Sequence, residues 1–468
     1  MLIKKMYLPC FMKVFTFMVL SGFFSAYASP LDFKTCVQTA LSQSPETEAS
    51  LARLTQAESA LSKVKSSRLP QITLFVTGSQ SDSAQNVFGM KLQQRQATIG
   101  DFGMAETGAF LPGGSPNADY IPDSLNKPKT HTNFNTRIEL RLPIWHGGKF
   151  TYYENQAQAM IAAAKNGDEA VKQMLTFNIY QAYEAVHASR AYISVALKAK
   201  EAADSYVETA KNLVEEGVVV RSELLSAQVN QSSTKVALTK AYAEEKTALQ
   251  TLKMLMNVAP DLQLEVAERV DLKLPARNES ELLTMALGMN PSLDARRKVA
   301  QASGYKVEVA KADYYPSFNM MLRKDWHDES ISLENGAYTI AGAMTWKLTD
   351  FGVRKNEVNM ASAQALHEQA KAKSYENQIR IKVLSAWNRL QAAEQQLVSN
   401  ELAIEQADEA RRLVQKRYLN GISTITELLA ANAQLDKAQA DFVAARYQVN
   451  IQKAELLLAT GYMDINRL

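Results

Sequence analysis

Cysteine is nearly absent from this chain of 468 residues, which contains only Cys10 and Cys36. Residues 1–28 are typical of a secretory signal, because lysines precede the apolar stretch Val14–Phe24 and the small-residue cleavage site Ala26–Ala28. Removal of this segment leaves one thiol, and a single thiol cannot form an internal disulfide in an exported chain. The fold is therefore predicted to hold together without oxidised cross-links.

An excess of charge of one sign and a long apolar run are also missing. The chain has 52 basic and 49 acidic residues, and this near balance, without a basic stripe, argues against nucleic acid as a partner. After residue 28 no apolar run approaches the roughly 18 residues of a transmembrane helix. Only a β-barrel is then expected to carry the chain across a bilayer.

Signatures of catalysis and of metal or cofactor binding are missing as well. Asp-Phe-Gly occurs at 101–103 and 350–352, but without the catalytic and phosphate-binding loops that accompany it in kinases. No nucleophile is paired with a base. No metal-ligand spacing relates the five histidines, His131, His146, His187, His327 and His367. We predict neither an enzyme nor a cofactor or metal site.

A duplicated pattern dominates what is present. The stretch LVEEGVVVRSELLSAQ recurs in altered form as LVQKRYLNGISTITELLAANAQ, so that Gly217 matches Gly421 and Glu223 matches Glu427. An earlier motif is also present twice, with its prolines at Pro45 and Pro70 and at Pro291 and Pro316. The spacing between matched positions changes between residues 70 and 148, which places an insertion in the first copy. We predict two similar units, each with helix, strand, loop, strand, long helix, turn and helix.

These matches divide the chain as follows. The first repeat spans 29–258, with a strand pair at about 70–144, a long loop at 79–132 that is rich in Gly, Pro, Asn and Ser, and a helical hairpin that turns at 217. A linker at 259–279 separates it from the second repeat at 280–460. That repeat has a strand pair at about 316–348 and a hairpin that turns at 421, and a tail at 461–468 follows.

The last helical stretch shows a heptad pattern of large and small residues. Large apolar residues recur every seventh position at Leu428, Leu435, Phe442, Val449 and Leu456. Alanines follow three positions later, with Gln452 as the single break, at Ala431, Ala438, Ala445 and Ala459. Small residues let helices approach closely, and a sustained period of seven predicts a left-handed coil. The helices are therefore expected to pack lengthwise.

The predicted strands alternate between apolar and polar residues. The apolar positions are predicted to face lipid, and they are Ile72, Leu74, Val76, Ile138, Leu140 and Leu142. Aromatic residues near the strand ends are typical of an interfacial girdle, namely Trp145, Trp326, Tyr338 and Trp346. The pattern fits outer-membrane strands around a wet lumen. A soluble sheet with one buried face shows the same alternation and stays open as an alternative.

Four strands are too few to close a barrel, since known barrels begin at about eight. The chain must therefore pool strands with copies of itself. Two copies supply eight strands, whose interior side chains fill, whereas three copies supply twelve. A conduit therefore favours three copies.

This arrangement resembles the TolC family of outer-membrane channel proteins of efflux pumps and type I secretion. The resemblance rests on the duplicated proline motif, the paired Gly-x₅-Glu-Leu-Leu motif, and LPIWHGGK at 142–149 with its relative LTDFGVR at 348–354. The resemblance implies a mainly α homotrimer, in which a twelve-stranded transmembrane β-barrel continues into a periplasmic α-helical coiled-coil barrel. It also implies contact with outer-membrane lipid, a periplasmic adaptor and an inner-membrane pump.

The resemblance further implies roles for the two turns. Gly217, Val218, Gly421 and Ile422 match adaptor-docking positions at the periplasmic mouth. Tyr418, Glu223 and Glu427 match its constriction, with a hydrogen bond expected from the Tyr418 hydroxyl to Glu223. Two positions depart from the family pattern, because Ser423 stands where some relatives carry Arg and Ala430 where some carry an acidic residue.

Two functions remain open from the sequence. One is an exit duct in the outer membrane, for efflux or for type I secretion. The other is a soluble periplasmic coiled-coil adaptor or structural protein, which would also be secreted and helical.

Overall fold

The computed structural model describes residues 30–107, 117, 119–276 and 278–467. The predicted signal peptide lies outside this part, as do residues 108–116 and 118 of the predicted long loop. The described helices are α1 (Phe33–Gln43), α2 (Pro45–Ser66), α3 (Ala84–Gln93), α4 (Asp123–Asn126), α5 (Lys149–Glu215), α6 (Arg221–Leu255), α7 (Glu279–Met289), α8 (Pro291–Lys311), α9 (Val353–Leu419) and α10 (Ile425–Thr460). The described strands are β1 (Gln71–Ser81), β2 (His131–His146), β3 (Ser317–Asp328) and β4 (Gly336–Thr345).

Each proline motif makes the same break between two helices. Ser44 ends α1 and caps α2, where its hydroxyl accepts the Glu46 N–H at 3.2 Å. Asn290 does the same between α7 and α8, where its side chain accepts the Leu293 N–H at 3.0 Å. Proline follows at the first helical position, where a backbone N–H has no helical partner in any case. A polar cap followed by proline therefore starts a new helix in both copies.

Two helices of equal length organise the molecule. α5 and α9 have 67 residues each, which corresponds to about 100 Å. Near the strands the helices lie side by side in the order α2, α5, α8 and α9, and in the other half the order is α6, α5, α10 and α9. The chain thus forms a layer four helices wide. No helix in the described part is both long and apolar enough to span a membrane.

The strands form one antiparallel sheet in the order β1-β2-β3-β4. Its register places Ile72, Leu140, Leu322 and Ile340 in one row across the four strands. β1 and β4 are the edges of the sheet, and each leaves one side of its backbone without a partner strand in this chain. The sheet is therefore an open layer, like the helices that continue it.

The two faces of the sheet differ in chemistry. The predicted lipid-facing residues share one face, on which Ile72, Leu74 and Val76 are exposed. The opposite face is charged and includes ion pairs of Arg137 with Asp325 and of Arg141 with Glu139. On the apolar face Phe318 and Trp326 lie eight residues apart along β3, about 26 Å in an extended strand. The one lysine between them on this face, Lys324, places its ammonium group 5.1 Å from the Trp326 ring. With the strands tilted by about 40°, the separation of Phe318 and Trp326 corresponds to about 20 Å of height, most of the apolar band of outer-membrane barrels, which is about 25 Å tall.

The insertion in the first copy is more ordered than its composition predicted. The residues between β1 and β2 include α3, a 3₁₀ turn at Ile99–Phe102 and α4. The expectation of a plain loop at 79–132 was therefore wrong at both ends and in the middle. Gly, Pro, Asn and Ser indicate chain reversals, but they leave room for short helices between the reversals.

The largest core cluster lies midway along α5. Tyr180 and Tyr183 of α5 are fully buried there, and Phe33 of α1 contacts both rings edge-on. The linker contributes Leu264 and Leu272, and the C-terminal tail contributes Met463. The segments that join and end the two copies therefore thicken the helical layer at its middle.

Candidate functional site

The two duplicated turns have the same backbone geometry. Gly217 and Gly421 have φ angles of 74° and 69°, in the left-handed region that favours glycine. The N–H groups of Gly217 and Val218 donate to the Val214 and Leu213 carbonyls at 3.1 and 2.8 Å. The N–H groups of Gly421 and Ile422 donate to Tyr418 and Arg417 at 2.9 Å each. Both turns are thus Schellman motifs, which satisfy the last carbonyls of α5 and α9.

The apolar side chains that follow these glycines face solvent. Val218 is 59% exposed and Ile422 is 68% exposed. Val220, which precedes α6, is also exposed. Exposed apolar side chains at the end of a helical hairpin are available for contact with the surface of another protein.

The two matched glutamates have different surroundings. Glu427 is exposed, its backbone N–H donates to the Thr424 hydroxyl at 3.3 Å, and its carboxylate accepts from Ser423 at 2.6 Å. Arg417 lies 4.0 Å from the same carboxylate. Glu223 is partly buried, and its Oε2 has no hydrogen-bond partner among the described residues. The equal spacing of the two glutamates from their glycines predicted equal roles for them. Their surroundings differ because Val220, the residue that caps α6, has no side-chain oxygen, whereas Thr424, the residue that caps α10, has one.

The expected hydrogen bond between Tyr418 and Glu223 is absent. The Tyr418 hydroxyl is buried and has no hydrogen-bond partner within the described ranges. Its ring instead packs in an apolar cluster with Tyr206, Ile425 and Leu428. Burial, together with the negative charge of Glu223, raises the pKa of Tyr418, so the two residues are neighbours without being bonded.

A buried polar pair that the sequence analysis missed joins the two hairpins. The Tyr206 hydroxyl of α5 donates to Asn432 Oδ1 of α10 at 3.1 Å, and Asn432 Nδ2 donates to the Leu428 carbonyl at 2.8 Å. Asn432 lies four residues after Leu428 and three before Leu435, directly after the seam position Ala431. An amide beside the apolar seam was the available signal, because buried polar groups require partners.

A partly buried carboxyl group lies one turn further along α10. Burial raises the pKa of Asp436 to about 6, and the nearby charge of Arg411 on α9 partly opposes this shift. No group of three or more His, Cys, Asp or Glu that could hold a metal ion occurs in the residues that the structure describes.

Asp436→Asn is expected to stabilise the protein at neutral pH. The folded state raises the pKa of Asp436, so the carboxyl favours folding at low pH, and this contribution is lost as pH rises through about 6. We expect a gain of about 2 kcal/mol in unfolding free energy at pH 8 and almost none at pH 4. Denaturant unfolding at the two pH values measures this gain. Asp441→Asn at an exposed position of the same helix is the control, and an equal gain there contradicts the explanation by burial.

Comparisons with known proteins agree with this geometry. A family model described as outer membrane efflux protein matches residues 36–258 and 282–462. The outer membrane efflux protein BepC of Brucella suis biovar 1 (strain 1330) is 22% identical over 341 residues, which cover 71% of this chain and 73% of BepC.

Two solved structures share the fold. CusC superposes with a TM-score of 0.76 at 15% identity, and the match covers 93% of each chain. The outer membrane protein VceC from Vibrio cholerae superposes with a TM-score of 0.72 at 17% identity, over 92% of this chain and 96% of VceC. At these identities the two matches show a shared fold, which is the fold that the resemblance implied.

The family match also decides between the two functions that the sequence left open. It covers both copies of the duplicated motif and favours an outer-membrane channel over a soluble adaptor. The chain therefore belongs to the outer membrane efflux protein family.

Proposed function

We propose that three copies of this chain form the exit duct of a tripartite efflux system. The observation that carries the proposal is the open layer. The edges of the sheet are β1 and β4. In the half of the helical layer nearest the strands the edge helices are α2 and α9, and in the other half they are α6 and α9. One edge thus runs through β1, α2 and α6, and the other through β4 and α9. A layer with two continuous unpaired edges closes into a tube by head-to-tail association of identical copies.

The edges of the layer have the chemistry that such association requires. Unpaired strand edges are avoided in isolated proteins because they pair with other chains. The outer helices also carry exposed apolar side chains, which are Leu225, Val229 and Val236 on α6 and Leu366, Val398, Leu402 and Leu413 on α9. Burial of such residues against a neighbouring copy is favourable by about 25 cal/mol for each Å² removed from water.

The sheet supports the number three. Four strands per chain give twelve in a closed ring of three copies, and rings of eight strands have interiors filled by side chains. The charged face then lines a wet lumen, and the apolar face with Ile72, Leu74, Val76, Ile138, Leu140 and Leu142 contacts outer-membrane lipid.

The paired turns are proposed to meet a periplasmic adaptor, which connects the duct to an inner-membrane pump. Gly217 and Gly421 reverse the chain while the neighbouring Val218 and Ile422 stay exposed. A partner hairpin that covers these side chains removes apolar surface from water, and the duplicated geometry offers it two equivalent positions per chain.

The same end is proposed to contain the periplasmic constriction, with Tyr418, Glu223 and Glu427. Tyr418 acts there by packing, because its ring is buried in the cluster that holds the two hairpins together. The two glutamates place negative charge at the mouth, and converging carboxylates favour cations there.

Mass and conductance of the detergent-extracted mature protein test this function. We expect a trimer that produces small, cation-preferring currents in planar bilayers. Glu223→Gln combined with Glu427→Gln is expected to lower the preference for cations by roughly threefold, because it removes charge at the mouth. Glu46→Gln combined with Glu48→Gln on α2 is the matched control. A water-soluble monomer without conductance contradicts the proposed function, and an unchanged preference contradicts only the assignment of the mouth.

A further inference from the structure

The described residues of the insertion between β1 and β2 lie against the charged face of the sheet. Its helix α3 and that face enclose a cleft of about 740 Å³. From α3 the lining includes Gln85, Asn86 and Met90, and from the strands it includes Arg137, Asp325 and Thr339. These strand residues occupy the face opposite Ile72, Leu140 and Leu322. The insertion therefore folds toward the side that becomes the lumen and away from the apolar side.

Residues 84–102 of the insertion are a packed unit with their own small core. Val87 of α3 is 2% exposed. The rings of Phe88 and Phe102 meet edge-on with their centroids 4.8 Å apart. Lys91 forms an ion pair with Asp101, whose carboxylate also accepts the Thr98 N–H at 2.7 Å. A segment with these contacts holds its shape over the strands.

One buried glutamine fastens this unit to the sheet. Gln94 is 1% exposed, and its Nε2 donates to the Thr132 carbonyl at 2.9 Å and to Asn133 Oδ1 at 3.1 Å. Its Oε1 lies 2.7 Å from His131 Nε2. The next residue, Arg95, donates to the Gly336 carbonyl at 2.9 Å. The attachment thus reaches the start of β2 and the start of β4, at the end of the sheet far from the long helices.

We propose that residues 84–107 and 119–126, called here the plug, form a second constriction at the outer end of the duct. The proposal rests on the trimeric channel described above. Twelve strands spaced about 4.8 Å apart and tilted about 40° enclose a ring about 24 Å across between backbones. A helix with its side chains is about 10 Å wide. Three copies of α3 inside such a ring leave little open width.

The plug selects cargo by size. Its residues at the cleft are uncharged amides and a thioether, Gln85, Asn86 and Met90. The charges opposite are engaged with one another, because Asp325 pairs with Arg137 and lies 3.1 Å from Arg323. The cleft lining thus holds two basic side chains and one acidic side chain, and it lacks the negative charge that the glutamates place at the periplasmic mouth.

Cysteine labelling from outside intact cells tests the plug. Thr339→Cys places a thiol in the cleft beneath α3, and the native Cys36 does not interfere because it is fully buried and burial raises its pKa to about 11. We expect N-ethylmaleimide to label Thr339→Cys in every background. A maleimide on a long polyethylene glycol chain is expected to react about tenfold faster after Gln94→Ala, since loss of the buried amide leaves its partners unsatisfied and favours the displaced plug.

Two further variants make the result decisive. Gln96→Ala changes the same residue type at an exposed position and is expected to leave both rates unchanged. Removal of residues 84–128 leaves four residues between Ser81 and His131. Because Ser81 and His131 are paired across β1 and β2, these four residues form a hairpin loop that joins the strands without the plug. Equal rates for the large reagent with and without the plug overturn this inference. Failure of the small reagent in the variant without the plug contradicts the wet lumen, and with it the proposed channel.

Discussion

Ile72→Arg is expected to reduce the amount of folded trimer in the outer membrane by about tenfold or more, whereas Thr73→Arg leaves it nearly unchanged. The two residues are neighbours on β1, and their side chains lie on opposite faces of the sheet. Ile72 shares a row with Leu322, midway between the aromatic residues Phe318 and Trp326. A charge at the middle of the lipid face costs about 2–4 kcal/mol per chain, and a trimer contains three such charges.

The control position differs only in its face. Thr73 lies opposite Glu139 on the charged side, where an additional arginine has a carboxylate across the strand pair. Outer-membrane fractions separated on gels without heating measure the folded trimer. A similar loss with both variants contradicts the assignment of one face to lipid and the other to water.

Gly461→Ala is expected to destabilise the protein by about 2–4 kcal/mol, against about 1 kcal/mol for Gly421→Ala. Both glycines end a long helix in the left-handed region, with φ angles of 76° and 69°. A Cβ at 461 meets the Met289 carbonyl oxygen at 2.7 Å and the Asn290 Cα at 2.8 Å, whereas at 421 it meets nothing within 4 Å. The first change adds a backbone clash to the strain that both share.

The position of Gly461 makes this clash difficult to relieve. Its carbonyl accepts from Gln173 of α5 at 3.1 Å, and Asn290 donates to the neighbouring Ala459 carbonyl at 3.0 Å. Movement of the end of α10 therefore disturbs contacts to α5 and to the turn between α7 and α8. Urea denaturation of the detergent-solubilised protein compares the two variants. Equal destabilisation indicates that backbone strain alone decides the effect at both turns.

Family membership was predictable because it rests on local rules repeated twice. Glycine at the end of a helix, proline after a polar cap, and alternation along a strand each depend on a few neighbouring residues. These signals placed Gly217 and Gly421 at the turns and Ile72 and Leu140 on an apolar face, and the family match confirms the resemblance that they carried.

Matched positions in the two repeats predicted the surroundings of individual side chains less well, because contacts between distant segments determine those surroundings. Glu223 and Glu427 are equivalent by position, but Thr424 and Ser423 engage Glu427 while an oxygen of Glu223 stays buried without a partner in the described part. Tyr418 was expected to bond Glu223, and the apolar cluster with Tyr206 holds its ring instead.

The sequence by itself determined the duplicated helical hairpins, the glycine turns and the two faces of the strands, because each follows from periodicity and backbone preference within a short stretch. Only the tertiary structure decided the order of the helices in the layer and the side of the sheet on which the insertion lies. Those features depend on which distant residues meet. The attachment of Gln94 to Thr132 and Asn133, across nearly forty positions of a segment rich in glycine and proline, leaves no periodic trace in the sequence.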